Sequence, residues 1–124
     1  MTAAISRVDA DYNGYGMFAQ SGSEETLNVM VADSVVANST SIGFFASTSA
    51  VLNPIMVRNS TISSNQIGIE AQGNQSIIRV GRSTITTNGP GWQSVAGGTI
   101  DTFGDNNIDT TPLGNNAPDL ISTK

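Results

Sequence analysis

Apolar and polar residues alternate along this chain in short runs, and the runs return at intervals. Val29 and Val31, Ile55 and Val57, and Ile78 and Val80 stand two apart, so both members of each pair face one side of an extended strand. A second stripe falls at Val36, Ile62, Ile85 and Ile108, with Ala10 in the first copy. A third falls at Met17, Phe44, Ile69 and Trp92, trailed two residues later by Ala19, Ala46, Ala71 and Ser94. Ile5, Val31, Val57, Val80 and Phe103 mark one column, with returns of 26, 26, 23 and 23 residues. Periods of roughly 20 to 50 residues signal a solenoid, because one copy cannot bury its own apolar face and stacking builds the core. The pattern predicts an all-β fold: a parallel β-helix of four to five coils over residues 1–108, with three short strands per coil.

Turn residues separate the stripes. Gly16, Gly43, Gly68 and Gly91 share a column, and positive φ is expected there, at one corner of the coil. Asn13, Asn65 and Asn88 stand three residues before a glycine of that column, and the second copy offers Asn38 or Ser39. A side-chain amide can bond the same amide one coil away, which predicts a polar ladder inside the stack. The motif Asn-Ser-Thr-Ile-Ser-Ser-Asn-Gln-Ile-Gly at 59–68, echoed as Arg-Ser-Thr-Ile-Thr-Thr-Asn-Gly-Pro-Gly at 82–91, resembles the right-handed parallel β-helix repeats of the pectate-lyase-like superfamily. The resemblance implies the right-handed form, an asparagine ladder, and an extracellular or cell-surface setting. It implies no particular activity, because one scaffold hosts many chemistries.

Two segments leave the pattern. Gln20–Thr26 reads as a polar loop between coils, and residues 109–124, which contain two of the four prolines, read as a tail that caps the last coil. No comparable cap precedes Ile5, so the first coil is expected to be an exposed edge that invites a second copy. Met1-Thr-Ala-Ala-Ile-Ser-Arg lacks the basic region and apolar run of a signal peptide. With the repeat already under way at Ile5, a piece of a longer solenoid is expected.

Composition narrows the chemistry. The formal net charge is −5 with only five basic residues, which argues against a nucleic-acid partner bound through phosphates. There is no cysteine and no histidine, so a thiol nucleophile, the commonest general base and the commonest metal ligand are all missing. No apolar run reaches the roughly 18 residues of a membrane-crossing helix, and neither cofactor nor membrane partner is expected.

Among candidate catalytic residues, Asp9 and Asp11 lie two apart on a strand, about 7 Å from each other on one outer face. That separation suits an inverting glycoside hydrolase. Solvated surface charge accounts for them more simply, since nothing nearby buries either acid. Arg7, Arg58, Arg79 and Arg82 invite comparison with the basic proton acceptor that the resemblance implies for lyases, but no run of acids stacks beside them. Asp101, Asp105 and Asp109 lack a calcium loop, and no metal site is expected. Asn38, Asn59 and Asn74 match the glycosylation triplet, as chance allows in so polar a chain. Thr61 and Thr84 begin the outward threonine array of an ice-binding solenoid without completing it.

The outward apolar residues point further. Phe18 and Phe45 on one face, and Met30 and Met56 on another, are expected to form contact surfaces. The sequence therefore predicts a non-catalytic scaffold or binding module, self-associating and with polysaccharide as a further possible ligand. A polysaccharide lyase or glycoside hydrolase, or a fragment of one, and a structural or ice-binding solenoid are the rivals.

Overall fold

The computed structural model describes residues 1–22, 25–48, 51–109, 114 and 118–121. Its strands are β1 (Thr2–Ser6), β2 (Asp9–Asp11), β3 (Tyr15–Gln20), β4 (Asn28–Ala32), β5 (Val35–Ala37), β6 (Ile42–Ser47), β7 (Asn53–Arg58) and β8 (Thr61–Ser63). They continue as β9 (Ile67–Gln72), β10 (Ser76–Gly81), β11 (Thr84–Thr86), β12 (Trp92–Val95), β13 (Thr99–Thr102), β14 (Asn107–Asp109) and β15 (Asp119–Leu120). No helix occurs among the described residues, and so none that could cross a membrane.

Every third strand joins the same sheet. The first sheet runs β1-β4-β7-β10-β13-β15, the second β2-β5-β8-β11-β14, and the third β3-β6-β9-β12. All pairings are parallel. The chain is thus a parallel β-solenoid of about four turns, with β13 and β14 laid on the fourth coil. Of the segment expected to be a tail, Gly114 bridges Trp92 and β15 pairs with β13, so these described pieces follow the coil path. Residues 110–113, 115–117 and 122–124 lie outside the described residues.

Register follows the predicted stripes. Val29, Ile55 and Ile78 are partners, as are Val36, Ile62 and Ile85, and Phe44, Ile69 and Trp92. These residues form one apolar core, in which Val36, Phe44, Val57, Ile62 and Ile78 are wholly buried. One column shifts. Val80 pairs with Thr102, not with Phe103. The corner after β13 holds one extra residue, with Gly104 at positive φ, and the ring of Phe103 lies instead over Gly81.

The glycine column differs from expectation in its cause. Gly16, Gly43 and Gly68 lie within β3, β6 and β9, and none has positive φ. The left-handed corner is made four or five residues before the glycine, by Tyr12, Asn38, Ser64 and Thr87, and the preceding corner by Arg7, Asp33, Asn59 and Arg82. What glycine supplies is room. A Cβ on Gly43 would lie 2.9 Å from Asn65 Nδ2, and one on Gly68 3.0 Å from Asn88 Nδ2. Both would also collide with the carbonyl of the next glycine in the column.

That space is needed by the polar ladder. Asn65 Nδ2 donates to Asn88 Oδ1 at 2.9 Å and to Val36 O at 3.2 Å, and Asn88 Nδ2 donates to Ile62 O at 3.0 Å. The second coil contributes Ser39, whose backbone N–H donates to Asn65 Oδ1 at 2.9 Å. Asn38 turns outward at the corner. Asn13 is exposed, so the ladder stops short of the first coil. A second ladder, unforeseen, stacks Ser34, Ser60 and Ser83. The backbone N–H of Ser34 donates to Ser60 Oγ and that of Ser60 to Ser83 Oγ, each at 3.2 Å, while each hydroxyl donates to the carbonyl two residues back. Its signal was present in sequence, since the three serines keep the 26- and 23-residue periods.

Candidate functional site

Core and ladders fill the interior of the later coils, so chemistry available to a ligand lies on the three outer faces and in the cavity of the first coil. On the third sheet, alternation slips at the glycine. Gly16 and Met17 both approach the interior, so Tyr15 and Phe18 both face outward. Phe18 and Phe45, register partners, stack with centroids 4.8 Å apart and planes 10° from parallel. Tyr15 lies 5.5 Å from Phe18 and 5.6 Å from Phe45, which places it beside the pair. Ile42 and Phe45 are buried at this outer cluster, apart from the core cluster. Sequence reading found Phe18 and Phe45 but missed Tyr15 and Ile42, because strict alternation from Met17 points both inward.

The same column continues to Glu70 and Gln93. Glu70 is only 8% exposed, and its burial beside Phe45 pushes its carboxyl above the ordinary value of 4.5. A raised folded value means that the native state binds the proton more tightly than the unfolded chain does. The protonated form's stability is present in full below pH 4.5 and is lost as pH rises through the folded value. Glu70→Gln is therefore expected to be more stable than the natural protein at pH 7 and equal to it in acid. Urea unfolding at the two pH values measures the difference.

On the first sheet, Met30 and Met56 are partners and face outward beside Ala4. Met30 is half-exposed, and a shallow groove of about 260 Å³ includes Thr2, Ala4, Asn28, Met30, Pro54 and Met56. The column ends in charge, where Arg79 Nε bonds Asp101 Oδ2 at 3.2 Å.

On the second sheet, Asp9 and Asp11 are exposed on one outer face, with Ala10 buried between them. Asp11 Oδ1 accepts from Asn38 Nδ2 at 2.7 Å. Their columns run Asp9, Val35, Thr61, Thr84, Asn107 and Asp11, Ala37, Ser63, Thr86, Asp109. No carboxylate adjoins either acid in these columns, and Thr61 and Thr84 remain a column of two. Arg82 reaches Asp105 at 3.9 Å, and Asn59 Nδ2 donates to Asp33 Oδ1. Asp101, Asp105 and Asp109 are thus dispersed over a strand, a corner and another strand. Among the described residues no group of three or more acids could hold a metal.

In the first coil, β1, β2 and β3 are the terminal strands of the three sheets. Two of that coil's inward residues are small, Ala3 beside Val29 and Ala10 beside Val36, while Ile5 and Met17 are large. An apolar cavity of about 370 Å³ results, lined by residues that include Ala3, Ile5, Met17, Leu27, Val29 and Phe44.

Compared with protein-family models, curated proteins and solved structures, the chain matches none.

Proposed function

We propose that this chain is a non-catalytic β-solenoid scaffold or binding module that associates with itself, in keeping with the pectate-lyase-like superfamily its repeat resembles. The observation that carries the reading is the outward aromatic cluster of Tyr15, Phe18 and Phe45 on β3 and β6. A contiguous apolar cluster on a strand face is a contact surface. Phe18 and Phe45 stack face to face along the solenoid, so each covers one ring face of the other, and Phe45 is buried while Phe18 is half-exposed. A sugar ring would need an open face, which favours protein over polysaccharide as the occupant.

The enzyme reading rests on Asp9 and Asp11 sharing an exposed outer face. Neither acid lines the groove beside Met30 or the cavity of the first coil. Two measurements test the proposal. Acidic and neutral polysaccharides are expected to survive incubation with the protein unchanged, and light scattering is expected to give a mass above 12.8 kDa that falls when Phe18 is replaced by serine. Polysaccharide cleavage abolished by Asp11→Asn, with folding intact, would instead establish the enzyme.

A further inference from the structure

Resting on the self-association reading above, we infer that a second copy docks on the outer face of the third sheet, sheet against sheet, and that Glu70 sets the pH at which it does so. The charges of this chain avoid that face. The strands β3, β6, β9 and β12 carry a single charged residue between them, Glu70. The segments 34–57, 59–78 and 83–100, which form most of the second, third and fourth coils, hold no other. Asp33, Arg58, Arg79, Arg82, Asp101 and Asp105 gather instead on the first sheet and at the corner that follows it. The second sheet begins with Asp9 and Asp11 and ends with Asp109. Copies of net charge −5 therefore approach with least repulsion through the third sheet, where the exposed rings of Tyr15 and Phe18 lie beside the buried Ile42 and Phe45. A basic partner would be drawn to the acidic faces, so the uncharged one selects a second copy.

Phe45 and Glu70 occupy the two middle strands of this sheet, so a twofold pairing covers both whichever way the second copy runs. An ionised Glu70 then loses the little water it keeps. Within one chain its carboxyl makes no hydrogen bond or ion pair among the described residues, and burial already holds its proton more tightly than usual. Of the elements packed against β9, β6 and β12 bear no titratable group, while Arg79 of β10 and Asp101 of β13 pair with each other on the first sheet. The next titratable group on this face, Tyr15, is two strands away. No cation among the described residues is placed to keep the carboxylate charged, so each docked Glu70 takes up a proton. The dimer tightens as pH falls through the folded value of Glu70 and weakens above it.

In plan the sheet measures roughly 14 by 20 Å, well under the ~800 Å² that each partner gives to a standard interface, so dimers should fill at concentrations on the order of 100 μM. Sedimentation equilibrium at pH 7 and at about pH 5 tests the assignment. Two protons taken up per dimer let Kd fall by up to about 100-fold per pH unit, and a tightening of about tenfold or more is expected in acid. Glu70→Gln is expected to dimerise at pH 7 as tightly as the natural protein does in acid, with little change between the two conditions. Asp33→Asn removes an equal charge from a corner off this face and should keep the natural pH dependence. Phe18→Ser should be monomeric at both pH values, with circular dichroism unchanged. A dimer of equal Kd in both conditions and in Glu70→Gln, yet lost in Phe18→Ser, would overturn the role of Glu70 while leaving self-association standing. An Asp33→Asn protein that matches Glu70→Gln would overturn it too, as an effect of total charge. A dimer that survives Phe18→Ser would overturn the docking face, and a natural protein that stays monomeric throughout would overturn the self-association reading as well.

Discussion

Asn65→Leu is expected to cost roughly 3 to 5 kcal/mol of folding stability, a large share of the ~5 to 15 kcal/mol that holds a small domain together. The replacement is similar in size, so the loss is one of hydrogen bonding. Three bonds disappear: Ser39 N–H to Asn65 Oδ1, Asn65 Nδ2 to Asn88 Oδ1, and Asn65 Nδ2 to Val36 O. Both Asn65 and Ser39 are buried, so the N–H of Ser39 is left without water or partner. A buried donor so stranded costs about 1 to 3 kcal/mol by itself. The same change at Asn13, which is exposed and outside the ladder, is expected to alter stability by less than about 0.5 kcal/mol. Urea denaturation decides the matter: the midpoint should fall sharply for Asn65→Leu and hold for Asn13→Leu, with the slope unchanged in both. Equal effects at the two positions would show that the ladder does not bear the stability assigned to it.

The contrast between Asn13 and Asn65 also shows where sequence stops being informative. The repeat made the fold legible, because period-two alternation fixes which residues face the core and a period near 23 to 26 residues fixes which ones stack. Register partners such as Val36, Ile62 and Ile85 could be assigned without coordinates for that reason. Departures arose where backbone geometry, not side-chain character, sets the position. An added corner residue moved Phe103 out of its column, and two consecutive inward positions at Gly16 and Met17 turned Tyr15 outward. The candidate site was therefore half legible. Phe18, Phe45, Met30 and Met56 follow from alternation, whereas the aromatic cluster depends on the slip at glycine. The exposure of Asp9 and Asp11 was legible too, since alternation about the buried Ala10 turns both outward.

Gly68→Ala distinguishes the two accounts of the glycine column. If the residue served a left-handed corner, the added methyl would cost about 1 kcal/mol in backbone strain alone. The structure gives another mechanism. Gly68 is extended within β9, and its missing side chain is what lets Asn88 and the carbonyl of Gly91 come close. Asn88 cannot retreat, because its Nδ2 is tied to Ile62 O and its Oδ1 accepts from both the N–H and the Nδ2 of Asn65. Gly91 cannot retreat either, since its carbonyl accepts from Ile69 N at 3.0 Å and fixes the third coil on the fourth. Relief of the overlap therefore requires the two coils to part locally, and the expected loss is about 3 kcal/mol, at the upper end for overpacking. Gly14 provides the comparison. A Cβ there meets nothing within 4 Å and φ is not positive, so Gly14→Ala should gain about 0.4 to 1 kcal/mol by restricting the unfolded chain. Thermal unfolding of the pair reads both signs at once, and a mild loss at Gly68 would mean that the coils can separate without breaking the ladder between them.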